Sequence, residues 1–447
     1  MSLPAGVTKL PAALTTSSAE AFVIVGKFAT TAMLGYAGAH QAWDECCDVE
    51  FSSRGRVSMT TPNIMKLTIR IHKMTDSNVK RLLTSSILLL VTISPLTAKE
   101  WEIVTIAGTG QPGFSGDGGL AISAEINQPF GVEIGPDGRL YMCDTANHVV
   151  RRIDRKTGII TTVAGRGGVN GYSGDGGQAK RAKLFEPYEI RFDKSANLFF
   201  VEMKNHVVRH VDAVTGVIST VAGSGDAGFR GDGGPATRAQ LSHPHSIALD
   251  AAGNLFICDI GNNRIRHVDM KSGIISTYCG TGERTGPKDG AAISPQTALK
   301  GPRALAVDSN DDLWLALREG NQVVKFDRRA GAIRHVAGTG ASGFTGNGGP
   351  ALLATLSGPK GISFDEANQR VYLADTESHT LRAIDLTTSP PTLRLMAGTG
   401  SRGDGPHGDP LKCNMARLHG VGLDSRTGEV FIGDSEAHRI RVLRPKK

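Results

Sequence analysis

The sequence predicts an all-β protein, a six-bladed β-propeller with four strands in each blade. An Ala-Gly-x-Gly step, with Cys in place of Ala at one position, recurs with spacings of 57, 58, 57, 58 and 60 residues. A fixed period of this kind is typical of repeat architectures, and 56 glycines are expected where many short strands meet in tight turns. Each unit also carries one short apolar strand, at residues 140–144, 198–202, 255–259, 313–317, 371–375 and 430–434.

The first complete unit contains four predicted strands, here called a, b, c and d. In strand b, Leu140 and Met142 alternate with Tyr141 and Cys143, so the strand presents two apolar faces. A Pro-Asp-Gly turn precedes it, and strand d is rich in β-branched residues. The four strands are predicted at residues 129–135, 139–144, 148–154 and 159–164.

The two ends of the array lack complementary strands. Residues 101–110 form a lone strand d, whereas the last unit, which ends at residues 439–443, has no strand d. We therefore expect the N-terminal strand to complete the sixth blade and close the ring, which hides strand edges. A linear solenoid is the alternative, but it needs polar caps and leaves the missing strands unexplained.

Composition is that of a soluble globular protein, with 40% hydrophobic residues and a mean hydropathy of −0.14. The net charge of +7 over 447 residues is too small to indicate nucleic acid as a partner. Six cysteines without framework spacing do not predict a disulfide scaffold. Cys143 and Cys258 occupy equivalent strand positions and are interpreted as small buried side chains.

The first hundred residues do not follow the repeat. Residues 74–98 have the form of a secretory signal peptide, with basic residues, an apolar stretch and a small residue before a charged start. We expect translation to begin at Met74 and cleavage to follow Ala98, so that residues 1–73 are untranslated or disordered and residues 99–447 form a secreted or periplasmic propeller. An uncleaved anchor or a buried strand is the alternative. N-terminal sequencing of the natural protein distinguishes these possibilities.

The repeated residues resemble NHL repeats. The match rests on Pro-Phe-Gly-Val at 129–132, Leu-Tyr-Met-Cys-Asp at 140–144, Asn-His-Val-Val-Arg at 147–151 and Val-Ala-Gly at 163–165, and it recurs over residues 101–444. The Gly-Asp-Gly-Gly loops are similar to those of exported bacterial NHL proteins. The resemblance implies a six-bladed propeller that serves, in most such proteins, a binding role, and it specifies no ligand.

An acidic residue and an Arg lie seven positions apart in five of the six repeats. In the fourth repeat both are replaced, by Leu317 and Val324. Joint loss of both charges predicts that the two groups touch, because an unpaired buried charge is costly. We interpret these residues as structural ion pairs that hold strands b and c together: Asp144/Arg151, Glu202/Arg209, Asp259/Arg266, Asp375/Arg382 and Asp434/Arg441.

The residue after the proline of strand a, or its equivalent His419 in the last unit, which has no such proline, is expected at the mouth of the central channel on one face. These six residues, the mouth set, include two aromatics and no carboxylate, so they favour a small anionic ligand, an acidic sugar of a glycan or an acidic peptide of a protein partner. Changing Arg303 and Lys360 to Met is expected to abolish such binding. The mouth set, our predicted ligand-binding residues, is Phe130, Tyr188, His245, Arg303, Lys360 and His419.

Two other sets share this face. The b–c turns carry His148, His206, Asn263, Asn321, His379 and His438. The Gly-rich loops carry Asp117, Asp175, Asp232, Asp289, Asn347 and Asp404. We interpret the first set as hydrogen-bonding turn backbone and the second as turn residues, because one carboxylate per loop is too few for calcium.

Two other functions stay open. A metal-dependent lyase or lactonase would place zinc at the axis through His245 and His419, as an amidating lyase of the NHL type does with three axial His ligands, and His243 would be a third ligand here. RNA binding is the other, but aromatic residues are few and the export signal argues against it. We expect a monomer without a cofactor, without nucleic acid, without stable membrane insertion and without catalytic residues. Metal analysis of the purified protein tests the enzyme alternative.

Overall fold

A computed structural model describes residues 101–446, and the predicted export signal and the segment before it lie outside this range. The described chain folds into six antiparallel sheets of four strands each. The ring begins with β1 (Trp101–Ala107) and continues through three blades. Blades 1 to 3 consist of β2 (Pro129–Ile134), β3 (Leu140–Asp144), β4 (Val149–Ile153), β5 (Ile160–Ala164), β6 (Pro187–Phe192), β7 (Leu198–Glu202), β8 (Val207–Val211), β9 (Ile218–Ala222), β10 (Pro244–Leu249), β11 (Leu255–Asp259), β12 (Arg264–Asp269) and β13 (Ile274–Cys279).

The remaining blades follow in the same order. Blades 4 to 6 consist of β14 (Pro302–Val307), β15 (Leu313–Leu317), β16 (Gln322–Asp327), β17 (Ala332–Ala337), β18 (Gly361–Asp365), β19 (Arg370–Asp375), β20 (Thr380–Asp385), β21 (Thr392–Ala397), β22 (Leu418–Asp424), β23 (Glu429–Asp434) and β24 (Arg439–Pro445). The first strand of each blade contacts the first strands of its neighbours and therefore lines the channel.

Short 3-10 helices occur in the loops. They lie at Ala121–Ser123, Thr145–Asn147, Ala179–Arg181, Ala236–Arg238, Ile260–Asn262, Ala351–Leu353, Thr376–Ser378, Pro410–Lys412 and Ser435–Ala437. Across residues 101–446 we find no helix with the length and apolar character needed to cross a membrane.

The ring closes as the sequence predicts. β1 pairs antiparallel with β24, from Trp101 opposite Pro445 to Ala107 opposite Ile440. The sixth sheet therefore has the order β1-β24-β23-β22, and the two ends of the array share one blade. The predicted complementarity of the lone strand d and the incomplete last unit is confirmed.

The hydrophobic core lies between neighbouring blades rather than at the axis. Leu140 and Met142 of β3 pack against Phe431 of blade 6, whereas Cys143 packs against Phe200 of blade 2. Both faces of strand b are therefore buried, as its apolar residues predict. Cys143 and its equivalent in blade 3 are fully buried thiols, which confirms their interpretation as small core side chains.

The Gly-rich loops cover the outer edge of each blade. Gly118 donates its N–H to the carbonyl of Ile160 at 2.8 Å, and Ile160 donates to the carbonyl of Gly119 at 3.0 Å. Gly118 has a φ of +84°, a conformation that side chains rarely adopt. The loop thus occupies hydrogen-bonding groups of strand d that would otherwise invite pairing with another chain.

Each predicted acid–Arg pair is in contact and fully buried. In blade 4, where neither charge occurs, Leu317 and Val324 are likewise fully buried. The predicted contact is therefore confirmed. The N–O distances are 3.3 Å for Asp144 and Arg151, 2.5 Å for Glu202 and Arg209, 3.4 Å for Asp259 and Arg266, 3.1 Å for Asp375 and Arg382, and 2.6 Å for Asp434 and Arg441.

The Asp of the Gly-rich loop joins the same network. Asp117 lies 2.7 Å from Arg151 and also accepts the backbone N–H of Thr162 at 3.0 Å. The ring of Phe114 lies 5.0 Å from the guanidinium carbon of Arg151. The turn N–H of Gly119 donates to Gly116 at 2.9 Å, so the interpretation of these loops as turns is confirmed and their carboxylates are already engaged.

The b–c turn residues join each blade to the next. Every one adopts a left-handed conformation, with φ of 60° at His148 for example, and accepts the N–H of the residue just before strand a of the following blade. This confirms that these residues hydrogen-bond turn backbone. The contacts are His148 Nδ1 with Glu186 N at 3.4 Å, His206 Nδ1 with His243 N at 3.1 Å, Asn263 Oδ1 with Gly301 N at 3.3 Å, Asn321 Oδ1 with Gly358 N at 2.9 Å, His379 Nδ1 with Arg417 N at 3.1 Å, and His438 Nδ1 with Gln128 N at 3.3 Å.

These inter-blade contacts predict a measurable effect of pH. Burial lowers the pKa of His148, His206, His379 and His438 from 6.5, and a protonated Nδ1 cannot accept the contact. Because the folded-state pKa is the lower one, this contribution to stability is complete above pH 6.5 and is lost as pH falls below it. Replacing all four with Asn, as in blades 3 and 4, should reduce the loss of Tm between pH 7.5 and pH 5 by a few degrees.

The comparison with the parent protein is essential to this measurement. Burial raises the pKa of the strand-b acids, to about 6 for Asp144 and about 7 for Glu202. These acids therefore stabilise the protein more as pH falls, which is opposite to the effect of the histidines. Because the acids are unchanged in the four-Asn variant, their contribution cancels when the pH profiles of the two proteins are subtracted. An identical pH profile for the two proteins would rule out the histidine contribution.

Candidate functional site

The candidate site is a cavity of about 320 Å³ at the channel mouth, on the face that carries the b–c turns. Five of the six mouth-set residues line it, and Phe130 does not. The lining residues outside the mouth set all come from blades 3 and 4 and the loop between them, so the cavity extends from the mouth toward these two blades. The lining residues from the mouth set are Tyr188, His245, Arg303, Lys360 and His419, and other walls include His243, Ile260, Gly261, Asn263, Arg284, Arg318 and Glu319.

Aromatic rings pack against one another at the mouth. Phe130 stacks on His419 with 4.1 Å between ring centroids and contacts Tyr188 at 4.4 Å. Tyr188 in turn meets the ring of His245 at 4.5 Å. The sequence predicts Phe130 among the ligand-binding residues; in the structure it does not line the cavity and packs on the rings of two residues that do.

Glycines shape the open side. The residue before strand a carries a side chain in four blades, as Gln128, Glu186, His243 and Arg417, but is Gly301 in blade 4 and Gly358 in blade 5. A Cβ on Gly301 would lie 1.2 Å from Oε2 of Glu319, so a side chain at this position would require the Glu319 carboxylate to move. The effect of these two glycines was not predicted, although their position before a proline is visible in the repeat alignment.

Arg303 has the least satisfied side chain at the mouth. It is 3% exposed, and its guanidinium carbon lies 4.5 Å from the centroid of Tyr188, to whose hydroxyl Nη2 donates. Within residues 101–446, Nε and Nη1 have no hydrogen-bond partner and no carboxylate forms an ion pair with Arg303. Burial lowers the pKa of Arg303, against the opposing effect of Tyr188.

Lys360, in contrast, has an internal counter-ion. Its Nζ lies 2.8 Å from Oε1 of Glu377 and 3.5 Å from Nε2 of His419. Burial lowers the pKa of Lys360 to about 8, although the hydrogen bond to Glu377 opposes this shift. Glu377 is a carboxylate of the b–c turn of the same blade, so the mouth is less basic than the six mouth-set residues alone suggest.

The two histidines proposed for zinc are held by backbone carbonyls. His245 Nδ1 lies 2.6 Å from the carbonyl of His243, and His419 Nδ1 lies 2.8 Å from that of Arg417. Burial and then the charges of Lys360 and Arg303 hold the pKa of His419 well below 6.5. Two neighbouring cations disfavour a metal ion at His419, and residues 101–446 contain no group of three or more His, Cys, Asp or Glu arranged to bind one.

A charged layer lies deeper along the first strands. Arg191 of β6 approaches Glu189 at 2.8 Å and Glu133 of β2 at 3.4 Å, and its Nη2 donates to the carbonyl of Leu305 at 3.0 Å. Burial raises the pKa of Glu133 to about 7, against the effect of Arg191. This layer was not predicted from the sequence. In it, one arginine lies between two carboxylates.

Comparison with known proteins finds similarity to proteins that carry NHL repeats. Residues 224–343 match the family model described as Teneurin NHL domain. NHL repeat-containing protein 2 of Gallus gallus is 28% identical over 325 residues, which cover 66% of this chain and 43% of that protein. Teneurin-4 of Mus musculus is 26% identical over 364 residues, which cover 74% of this chain and 12% of that protein. The chain thus spans less than half the length of these curated relatives.

A solved structure shows the same fold. An auxiliary nutrient binding protein from Bacteroides thetaiotaomicron aligns with a TM-score of 0.56 at 16% identity, covering 77% of this chain and 76% of that chain. At this identity the likeness concerns the fold alone.

Proposed function

We propose that this chain, which is a six-bladed propeller of NHL repeats, is a non-catalytic binding module. In this proposal the channel mouth holds a small anionic ligand, or an anionic group of a glycan or protein partner. The proposed location is outside the cytoplasm, as residues 74–98 suggest, and the proposed form is a monomer. The observation that carries the proposal is the buried guanidinium of Arg303, whose Nε and Nη1 have no acceptor among the described residues.

An anion would supply what Arg303 lacks. A buried charge without a counter-ion is costly, and charge-assisted hydrogen bonds to a carboxylate or phosphate are among the strongest in proteins. Arg318, with 41% of its side chain exposed, and Lys360 add positive charge to the same cavity. Catalysis by zinc is the less favoured alternative, because His419 already faces Lys360 and Arg303.

Binding of anions should depend on Arg303. Replacing Arg303 with Met is expected to weaken binding of sodium glucuronate or sodium hexanoate about 10- to 100-fold, because a charged hydrogen bond contributes roughly 1.5–3 kcal/mol. Isothermal titration calorimetry or an NMR titration of the purified chain measures this. The matched control is Arg402→Met, which removes the same charge from a side chain that is 64% exposed and does not line the cavity.

Two outcomes decide the proposal. Unchanged affinity in the Arg303 variant, or an equal loss in both variants, would show that the mouth is not the anion site. Lys360→Met is expected to have a smaller effect than Arg303→Met, because Lys360 is already paired with Glu377.

A further inference from the structure

Three blades carry a glutamate at the same place in the b–c turn, and one of the three lacks the cation that serves the other two. Arg417 donates to Glu377 at 2.6 Å and to Glu436 at 2.9 Å, bridging blades 5 and 6. Glu319 is their equivalent in blade 4. Its Oε1 accepts from the adjacent Arg318 at 2.9 Å, and its Oε2 has no donor in the described part of the chain.

The repeat alignment explains why Glu319 has no cation equivalent to Arg417. Arg417 occupies the position before strand a, and the same position is Gly358 in blade 5 and Gly301 in blade 4. Because glycine has no side chain, neither position supplies a cation to Glu319. The carboxylate of Glu319 instead turns into the space beside Gly301, as the 1.2 Å between Oε2 and an added Cβ shows.

Charged groups of both signs at the cavity therefore have hydrogen-bonding atoms without a partner, although Glu319 also pairs with Arg318. Arg303 presents two buried nitrogens without an acceptor, and Glu319 presents one buried oxygen without a donor. Both residues line the same space, and Ile260 contributes an apolar wall to it. A purely anionic ligand would satisfy only Arg303 and would bring its charge close to the carboxylate of Glu319.

We propose that the ligand is a zwitterion of the amino-acid class, with a carboxylate bound by Arg303 and an ammonium group bound by Glu319. The ammonium group takes the place that the Arg417 guanidinium holds beside Glu436, and the hydrocarbon part packs on Ile260. This inference rests on the proposed function, which assigns the carboxylate to Arg303, and it adds the requirement for a positive group on the same molecule.

Six-carbon probes test the requirement directly. Calorimetric titration of the full chain with hexanoate, 1-aminohexane, norleucine and 6-aminohexanoate separates the contribution of each charge and covers two spacings between them. The expected result is that at least one of the two amino acids binds ten or more times as tightly as either hexanoate or 1-aminohexane. Because this series uses the unaltered protein, its outcome does not depend on how a variant folds.

A pair of variants then locates the effect. Glu319→Gln is expected to reduce the preference for the amino acid over hexanoate to less than threefold, while hexanoate binds as before. Glu436→Gln is the matched control, because Glu436 does not line the cavity and its two oxygens already face cations, Oε1 at 2.9 Å from Arg417 and Oε2 at 2.7 Å from Arg402. This variant is expected to keep the preference. If hexanoate or 1-aminohexane binds as tightly as both amino acids, or if Glu319→Gln keeps the preference, the zwitterion assignment is wrong. If no probe binds at millimolar concentration, the proposed function itself fails.

Discussion

Replacing Asp259 with Leu is expected to lower the free energy of unfolding by about 3–5 kcal/mol, the usual cost of removing one partner of a buried ion pair. The Arg266 guanidinium is fully buried 3.4 Å from this carboxylate. Asp259 also accepts the N–H of Ser242 at 2.6 Å and the amide of Asn262 at 2.7 Å. The single substitution removes an acceptor from each of these three donors, and a buried polar group that loses its hydrogen-bond partner destabilises the folded state. Urea unfolding measures the change.

The double variant is the matched control for this prediction. Changing Asp259 to Leu and Arg266 to Val copies the fully buried Leu317 and Val324 of blade 4. Because an apolar pair of similar volume often replaces a buried ion pair without large loss, we expect a net cost of only about 1–2 kcal/mol. A double variant as unstable as the single one would mean that the blade tolerates the apolar pair only in the context of blade 4.

Ring closure should be the most sensitive feature of the assembly. Ile103 of β1 is fully buried in the cluster between blades 5 and 6. Ile103→Asp loses this apolar contact and places a carboxylate in it, with an expected cost of at least about 3 kcal/mol. If β1 separates, the free edge of β24 becomes available for pairing with another molecule. We therefore expect a lower Tm together with self-association, measured by light scattering after size exclusion.

A surface substitution separates the effect of the added negative charge from the effect of disrupting the core. Thr109 lies just after β1 and is exposed, so Thr109→Asp adds the same charge without entering the core. This control should keep the association state and the Tm of the unaltered protein. An Ile103→Asp protein with the same association state and stability as the unaltered protein would contradict the role of β1 in closing the ring.

The sequence predicts the fold well because the fold is a repeat. Equivalent residues occur six times, so strand boundaries, blade number and closure can all be read from one alignment. The acid–Arg contact follows in the same way, since Leu317 and Val324 replace both charges together in one repeat. These features depend on what the blades share.

The candidate site depends instead on what the blades do not share. Gly301 and Gly358 leave blades 4 and 5 without the side chain that the other blades carry at this position. Lys360 is paired with Glu377, which lies in the b–c turn of the same blade. Phe130 stacks across the blade 6–blade 1 boundary on His419. Such contacts between side chains that are distant in sequence cannot be inferred from spacing, so the mouth set was predicted as positions but not as an arrangement.

The pairing of β1 with β24 also determines how the molecule responds to mechanical load. Trp101 and Pro445 are opposite each other at one end of this ladder. A force that pulls these two residues apart would act across the strands, so the hydrogen bonds of the ladder would break one after another from this end. Strands loaded along their length would instead share the force among all of their bonds. The blade that closes the ring is therefore the mechanically weak point of the propeller under tension at these two residues.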